Sequence, residues 1–143
     1  MVRGGGMRDR EYKFRAWDTK YKCMFIPKKI DFYDFTLQME EGCIWDSWDP
    51  DGNEQVILMQ YAGMRDHIGR EIFEGDIVRM RSMTPGAPSI VGEVQFEESC
   101  YWVVNEKQEK GVCLFQEGVY IEILGNVFEN LELLKEFRDE TKA

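Results

Sequence analysis

The sequence predicts a mainly β fold that ends in a short C-terminal helix. Apolar and polar side chains alternate over several stretches of strand length, which is the pattern of half-buried strands. Glycines mark chain reversals within residues 61–78, where Gly69 and Gly75 flank the apolar pair Ile72-Phe73. Glycine adopts positive φ without steric cost, so it is favoured at such turns. Apolar residues recur at helical spacing near the C-terminus, which favours one closing helix.

The first predicted element is a β-hairpin. Residues 12–17 alternate with period two, residues 18–20 form a turn, and residues 23–26 form the return strand. Pro27 ends that strand because proline has no backbone N–H to donate.

Residues 28–54 are predicted to be irregular with short strands. Asp31 and Asp34 interrupt the apolar residues there, so no clean alternation remains. Asp49-Pro50-Asp51-Gly52 predicts a turn, since proline pre-sets φ and Asp-Gly supplies the reversal.

The middle of the chain contains the remaining strands. A continuous apolar run predicts a central strand buried on both faces at 56–61. Residues 84–89 form a loop, because two prolines and a glycine cannot hold a ladder. Gly125 predicts a bulge or sharp bend. The further predicted strands are 76–80, 92–96, 101–104, 112–115 and 119–124.

The closing helix is predicted to begin at Asn130 and to run through Glu136 or beyond. Asn130 is a favourable cap, and the acidic Glu132 lies in the first turn, where the helix dipole favours it. The stripe expected to pack on the sheet is Leu131, Leu134 and Phe137.

The length of 143 residues predicts a single domain over residues 7–143, preceded by a disordered or added lead at residues 1–6. No apolar run is long enough to span a membrane, and no signal peptide is recognisable, which predicts a cytoplasmic protein. The four cysteines do not have the spacing of zinc or thioredoxin motifs. They are expected to be reduced, partly buried thiols.

The net charge of −9 is unevenly distributed. Residues 1–30 hold nine basic against three acidic residues, a balance of +6, whereas the remainder holds nine against 24, a balance of −15. Repulsion from phosphate argues against a generic nucleic-acid binder.

The sequence shows no catalytic, metal or cofactor constellation, so we expect neither an enzyme nor a cofactor. His67, the sole histidine, is interpreted as a surface turn residue rather than a general base. Asp46, Asp49 and Asp51 lack the spacing of an EF-hand, which favours a solvated turn. Asp76 is expected to accept hydrogen bonds from neighbouring backbone donors at a strand entry.

The candidate partner surface combines basic and aromatic residues. Trp17 shares its predicted strand face with Lys13 and Arg15, the only aromatic–basic interleaving in the chain. Such residues anchor protein contacts and stack on bases. The alternative interpretation is that Trp17 belongs to the core and the two basic side chains are solvated. The full candidate set is Lys13, Arg15, Trp17, Lys28, Lys29, Trp45 and Trp48.

Four sequence blocks carry a family resemblance. They are KFRAWD at 13–18, LMQYAG at 58–63, DHIGREIFEGDIV at 66–78 and IEILGNVFEN at 121–130. In this order they resemble the YopX-like proteins, small proteins of bacteriophages and prophages. The family often has proline after the final Glu-Asn pair, where this chain has Leu131. The resemblance implies a mainly β domain, part of it a partly open SH3-like barrel with an additional N-terminal hairpin and irregular insert. It transfers no activity, because the family has no agreed biochemical function.

The functional expectation is therefore a non-enzymatic phage or prophage accessory protein. It would act as a protein–protein interaction module in the host cytoplasm, on a host or phage protein or on a second copy of itself. The alternative is an SH3-like barrel that binds nucleic acid through the basic and aromatic N-terminal strand. A hydrolase with an unrecognised site is the least favoured reading.

Overall fold

A computed structural model describes residues 10–39, 45–48, 55–87 and 89–136, and it confirms the mainly β fold class. The chain divides into two compact units, residues 1–61 and 62–143. The single domain over 7–143 stays a prediction, and the lead at 1–6 lies outside the described residues. Across the described ranges, every helix is too short or too polar to cross a bilayer.

Two sheets begin in the first unit. One has the strand order β2-β1-β6-β7 and the other has the order β3-β4-β5. The first is built from β1 (Phe14–Asp18), β2 (Cys23–Phe25), β6 (Val56–Arg65) and β7 (Glu71–Phe73), and the second from β3 (Lys29–Asp31), β4 (Thr36–Gln38) and β5 (Trp45–Ser47).

The predicted N-terminal hairpin is present as the antiparallel pair β1–β2. Its turn is fixed by Asp18, whose Oδ1 accepts hydrogen bonds from the backbone N–H groups of Lys20 at 2.8 Å and Tyr21 at 3.0 Å. Lys22 closes the turn with a φ of 56°. An aspartate that bonds the backbone ahead of it in this way fixes the turn without help from the core.

A second hairpin, β3–β4, uses the same chemistry. Oδ1 of Asp31 accepts from the backbone N–H groups of Tyr33 at 2.8 Å and Asp34 at 3.0 Å, and Phe35 has a φ of 55°. Asp31, which obscures the strand pattern in the sequence, therefore starts a turn. The described part of 28–54 forms three short antiparallel strands around it.

The first unit has a small apolar core. Leu37 of β4 and Val56 of β6 are fully buried beside Ala16 of the central strand β1. The half-buried side chains that pack against this cluster are Phe25, Ile30, Trp48 and Leu58.

The second unit is a curled five-stranded half-barrel with the antiparallel order β11-β10-β9-β8-β12. Its strands are β8 (Asp76–Ser82), β9 (Ile90–Glu97), β10 (Cys100–Asn105), β11 (Lys110–Cys113) and β12 (Val119–Asn126). A short 3-10 helix, Glu106–Gln108, links β10 to β11, and helix α1 spans Leu133–Glu136. The buried core comprises Ala62, Ile72, Val78, Met80, Ile90, Val94, Tyr101, Val103, Leu114 and Ile121.

Gly92 allows β9 and β10 to approach closely on the core side of this sheet. A Cβ at Gly92 would lie 2.6 Å from the carbonyl oxygen and 3.0 Å from the backbone nitrogen of Val104. No side chain fits there, and a strand glycine of this kind commonly marks a barrel corner.

The bulge predicted at Gly125 is confirmed, because the β8–β12 register shifts between Ile123 and Gly125. The cap predicted at Asn130 is wrong. The Asn130 side chain instead fills the space beside Gly125, with its Cγ 2.7 Å from a Cβ built there, and its Oδ1 accepts from the backbone N–H of Asn126 at 3.2 Å. Since that oxygen is engaged at the end of β12, α1 begins at Leu133 without it.

Candidate interaction surface

Trp17 does not belong to the candidate surface predicted from the sequence, because its side chain is buried. This residue is only 7% exposed, because β1 is a central strand and its side chain is covered on the face opposite Ala16. The structure therefore corrects the place of Trp17 in the candidate surface: its side chain is architectural. Lys13, from the same predicted trio, is half-buried, with its Nζ 3.0 Å from a Glu11 carboxylate oxygen and 5.9 Å from the ring centre of Tyr61.

The other members of that set lie in different environments. Lys28 and Lys29 are exposed, whereas Arg15 and Trp48 are half-buried. Trp45 belongs to β5, and its side chain lies outside the described part of the structure.

A surface that the sequence analysis missed lies at the turn between β3 and β4. Phe32 is 57% exposed, Tyr33 is 90% exposed and Phe35 is 38% exposed. We call these three residues the aromatic tip. The sequence gives little sign of this surface, because Asp31 and Asp34 interrupt the apolar pattern and no strand face is recognisable there.

The aromatic tip is supported from behind by other rings. The ring centre of Phe32 lies 6.2 Å from that of Phe14 and 6.0 Å from that of Trp48, while Phe35 and Trp48 are 5.0 Å apart. All three contacts are edge-to-face, the geometry that aromatic quadrupoles favour. The backbone N–H of Trp48 also donates to the carbonyl oxygen of Phe35 at 3.0 Å. The tip is therefore ordered before any partner arrives.

The chemistry beside the tip is mixed. Lys29, Ile30, Asp31 and Phe32 line a shallow depression of about 490 Å³. A lysine, two carboxylates (Asp31 and Asp34) and three rings within one short stretch suit a partner with both apolar and polar groups.

The glycine-marked motif of the second unit contains a buried carboxylate, Asp66. Its Oδ1 accepts from the backbone N–H groups of Ile68 at 3.1 Å and Arg70 at 2.8 Å. Its Oδ2 accepts from Nε and Nη2 of Arg70, both at 2.8 Å, and from the Ile123 backbone N–H at 3.3 Å. Burial raises the pKa of Asp66, but these hydrogen bonds outweigh it, those of Arg70 most, so the pKa lies below its usual value.

His67 lies in the same turn and is exposed. Its Nδ1 donates to the Ile121 carbonyl oxygen at 3.0 Å, and its ring centre lies 4.5 Å from that of Tyr120. Asp66 and His67 thus join the 66–70 turn to β12, which is a structural use of the motif. Asp76 behaves as predicted, with its Oδ2 accepting from the Phe73 backbone N–H at 2.8 Å.

Within the described ranges, no three His, Cys, Asp or Glu side chains converge closely enough to hold a metal ion. Of the aspartates considered in the sequence, Asp46 lies in β5, while Asp49 and Asp51 fall outside the described residues.

Fold and surface together define a small mainly β protein with a curled half-barrel sheet and an exposed aromatic turn. The family model described as YopX protein matches residues 13–135, so the chain belongs to the YopX family. No curated protein matches the chain.

Two solved structures are similar to it in fold. Protein yopX from Bacillus subtilis is 24% identical with a TM-score of 0.58, over 85% of this chain and 96% of that one. Protein EF1440 from Enterococcus faecalis is 22% identical with a TM-score of 0.56, over 87% of this chain and 99% of that one.

Proposed function

We propose that this chain is a non-enzymatic accessory protein of a phage or prophage, and that it binds a partner protein in the host cytoplasm through the aromatic tip. The observation that carries the proposal is the exposure of Phe32 and Tyr33 on a turn fixed by Asp31. The phage part rests on the resemblance carried by the four sequence blocks, and the cytoplasmic part is the expectation stated from the sequence.

The tip has the properties of an energetic anchor. Large aromatic side chains supply most of the binding free energy in many protein interfaces. The turn is already held by Asp31 and by the rings behind it, so little conformational entropy is lost when a partner binds it.

The charges at the tip, the net charge and the burial of Trp17 favour a protein partner over nucleic acid. Asp31 and Asp34 are exposed at the tip, and their carboxylates repel phosphate. Trp17 is buried, so it offers no face on which a base could stack. The net charge of −9 acts in the same direction.

The test is site-specific photo-crosslinking of the full chain inside bacterial cells. A photoreactive phenylalanine analogue replaces Tyr33 in one variant and Tyr21 in a matched control. Tyr21 is 61% exposed and lies in the sister turn fixed by Asp18. We expect one defined protein adduct from position 33 and none from position 21, with the partner identified by mass spectrometry.

The purified partner then gives the energetic test. Replacing Phe32 and Tyr33 together by serine should weaken binding by about 30-fold or more, the scale of an interface hot spot. Tyr21→Ser should leave Kd within about twofold. An adduct with a second copy of the chain identifies the partner as itself, and equal adducts at both positions refute the tip as the contact. A nuclease-sensitive adduct replaces the proposal by the nucleic-acid alternative.

A further inference from the structure

Two cysteines that lie 13 residues apart in the sequence approach each other on the half-barrel. The Sγ atoms of Cys100 in β10 and Cys113 in β11 are 3.6 Å apart. In the β10–β11 register Cys113 lies opposite Trp102, so Cys100 is its diagonal neighbour on the same face.

That face is the outer one. Tyr101 and Val103, which alternate with Cys100 along β10, are buried in the core, while both cysteines are half-buried. Strand β11 is an edge strand of its sheet. A small solute can therefore reach the two sulfurs from solvent.

The sulfurs are also held in position to react with each other. The Cys100 thiol lies 3.5 Å from the Tyr101 carbonyl oxygen and the Cys113 thiol 3.6 Å from that of Phe115. A disulfide has an S–S length of about 2.05 Å, so closure needs a movement of roughly 1.5 Å shared between two side chains. The edge strand can supply part of that movement.

We propose that Cys100 and Cys113 form a reversible thiol–disulfide pair that a peroxide oxidises. One thiolate attacks a peroxide oxygen, the O–O bond breaks, and a sulfenic acid and water result after proton transfer. The second thiol attacks the sulfenic sulfur and releases a second water. Two thiols and one hydrogen peroxide thus give one disulfide and two waters, and a dithiol reductant reverses the step.

The rate of this oxidation depends on pH. The hydrogen bond with Cys113, together with burial, raises the pKa of the Cys100 thiol. Because the thiolate is the nucleophile, oxidation through Cys100 accelerates as the pH rises toward that pKa.

The disulfide would fasten the edge strand to β10. Lys110, Gly111 and Val112 of that strand line a cavity of about 480 Å³, together with residues such as Met80 and Val119. Oxidation would thereby fix the wall of this cavity.

The test uses the reduced full chain, treated with hydrogen peroxide and then blocked with an alkylating agent. Trypsin separates the two cysteines, because Lys107 and Lys110 lie between them. We expect one linked pair of peptides, 82–107 with 111–135, that separates on reduction. Cys100→Ser and Cys113→Ser abolish the linked pair, while the matched control Cys23→Ser retains it.

Thermal unfolding provides a second measurement. Closing the loop from Cys100 to Cys113 should raise the Tm by about 5–10 °C in the wild type and in Cys23→Ser, and leave Cys100→Ser unchanged. Equal Tm values of the reduced wild type and reduced Cys100→Ser show that the variant folds. Alkylation of both cysteines after peroxide treatment, links to another cysteine or between chains, or overoxidation without a link each overturn the proposal.

Discussion

At the scale of single residues, the Asp66 carboxylate connects the 66–70 turn to β12 in the second unit. Its side chain is fully buried, and both of its oxygens accept hydrogen bonds from N–H groups of the 66–70 turn and of β12. A buried carboxylate of this kind is tolerated only while its donors and its cation remain in place.

Replacing Asp66 by asparagine should lower the free energy of unfolding by about 2–4 kcal/mol at neutral pH. The substitution removes the charge opposite Arg70. It also places an NH₂ group against N–H donors, where no acceptor remains for them. Urea unfolding at pH 7 measures the loss. The exposed Asp34→Asn is the control and should stay within about 0.5 kcal/mol.

The pH dependence of that difference has a defined sign. Because the pKa of Asp66 is lower in the folded state, its stabilisation is present above the unfolded pKa of about 3.9 and is lost as the pH falls through the folded value. The wild type and Asp66→Asn should therefore converge in acid. A constant difference from pH 7 to pH 2 would contradict this account.

Gly92 and Gly111 form a matched pair around Val104. Alanine at Gly92 would meet the Val104 backbone at 2.6 Å, whereas alanine at Gly111 would meet only a methyl carbon at 3.9 Å. We expect Gly92→Ala to cost roughly 1–3 kcal/mol or more, and Gly111→Ala to be neutral within about 0.5 kcal/mol. Denaturant unfolding of both variants tests it, and equal losses would refute the close approach.

At the scale of elements, the strands with clean alternation and the turn at 18–20 were predictable, whereas the turn between β3 and β4 was not. The β8–β9–β10 meander and β12 follow their apolar patterns, because one face of each is buried in the same core. Asp31 was misread because an aspartate that starts a turn and one that interrupts a strand have the same effect on the alternation of apolar and polar residues. Asn130 was misread because its side-chain oxygen accepts from the backbone N–H of Asn126, four residues back, rather than from the first turn of α1. Trp17 is buried because β1 lies between β2 and β6, which the pattern of β1 alone does not show.

Strand β9 contains a carboxyl group that opposes folding at neutral pH. Burial raises the pKa of Glu93, the Gln95 hydrogen bond lowers it, and the Glu106 charge raises it, with a net increase. A carboxyl group whose pKa rises on folding favours the folded state below its unfolded pKa and loses that contribution as the pH rises through the folded value.

Glu93→Gln should therefore raise the Tm at pH 7 by roughly 1–3 °C, and the gain should vanish in acid. The glutamine keeps the acceptor oxygen that Gln95 bonds at 3.2 Å. Glu97→Gln, an exposed change on the same strand, is the control and should leave the Tm unaltered. Thermal scans from pH 4 to pH 8 measure both, and a lower Tm for Glu93→Gln would contradict the argument.

At the scale of the whole molecule, the two units differ in the size of their cores. Within the described residues, the buried apolar cluster of the first unit has three members and that of the second has ten. Since buried apolar area supplies most folding free energy, the second unit should be the more stable of the two.

Hydrogen exchange followed by mass spectrometry tests this difference. The slowest amides should lie in β8, β9, β10 and β12, and those of β2, β3 and β4 should exchange at least about tenfold faster. Uniform protection along the chain would show one cooperative unit instead.

Fold class was predictable at this scale because it depends on averages over many residues. The aromatic tip was not, since Phe32 and Tyr33 are exposed only because Asp31 turns the chain outward there. Their exposure follows from one local hydrogen-bond pattern, which composition and charge do not report.

The two sister turns make the recognition element exchangeable. Each takes its backbone shape from a leading aspartate and a closing residue with positive φ, so the backbone of the turn is not set by the side chains between them. Short loops of this design can acquire new side chains without unfolding the scaffold. Proteins built this way could change what they recognise by altering three or four letters, and a laboratory could graft the Phe-Tyr pair onto the turn that follows Asp18.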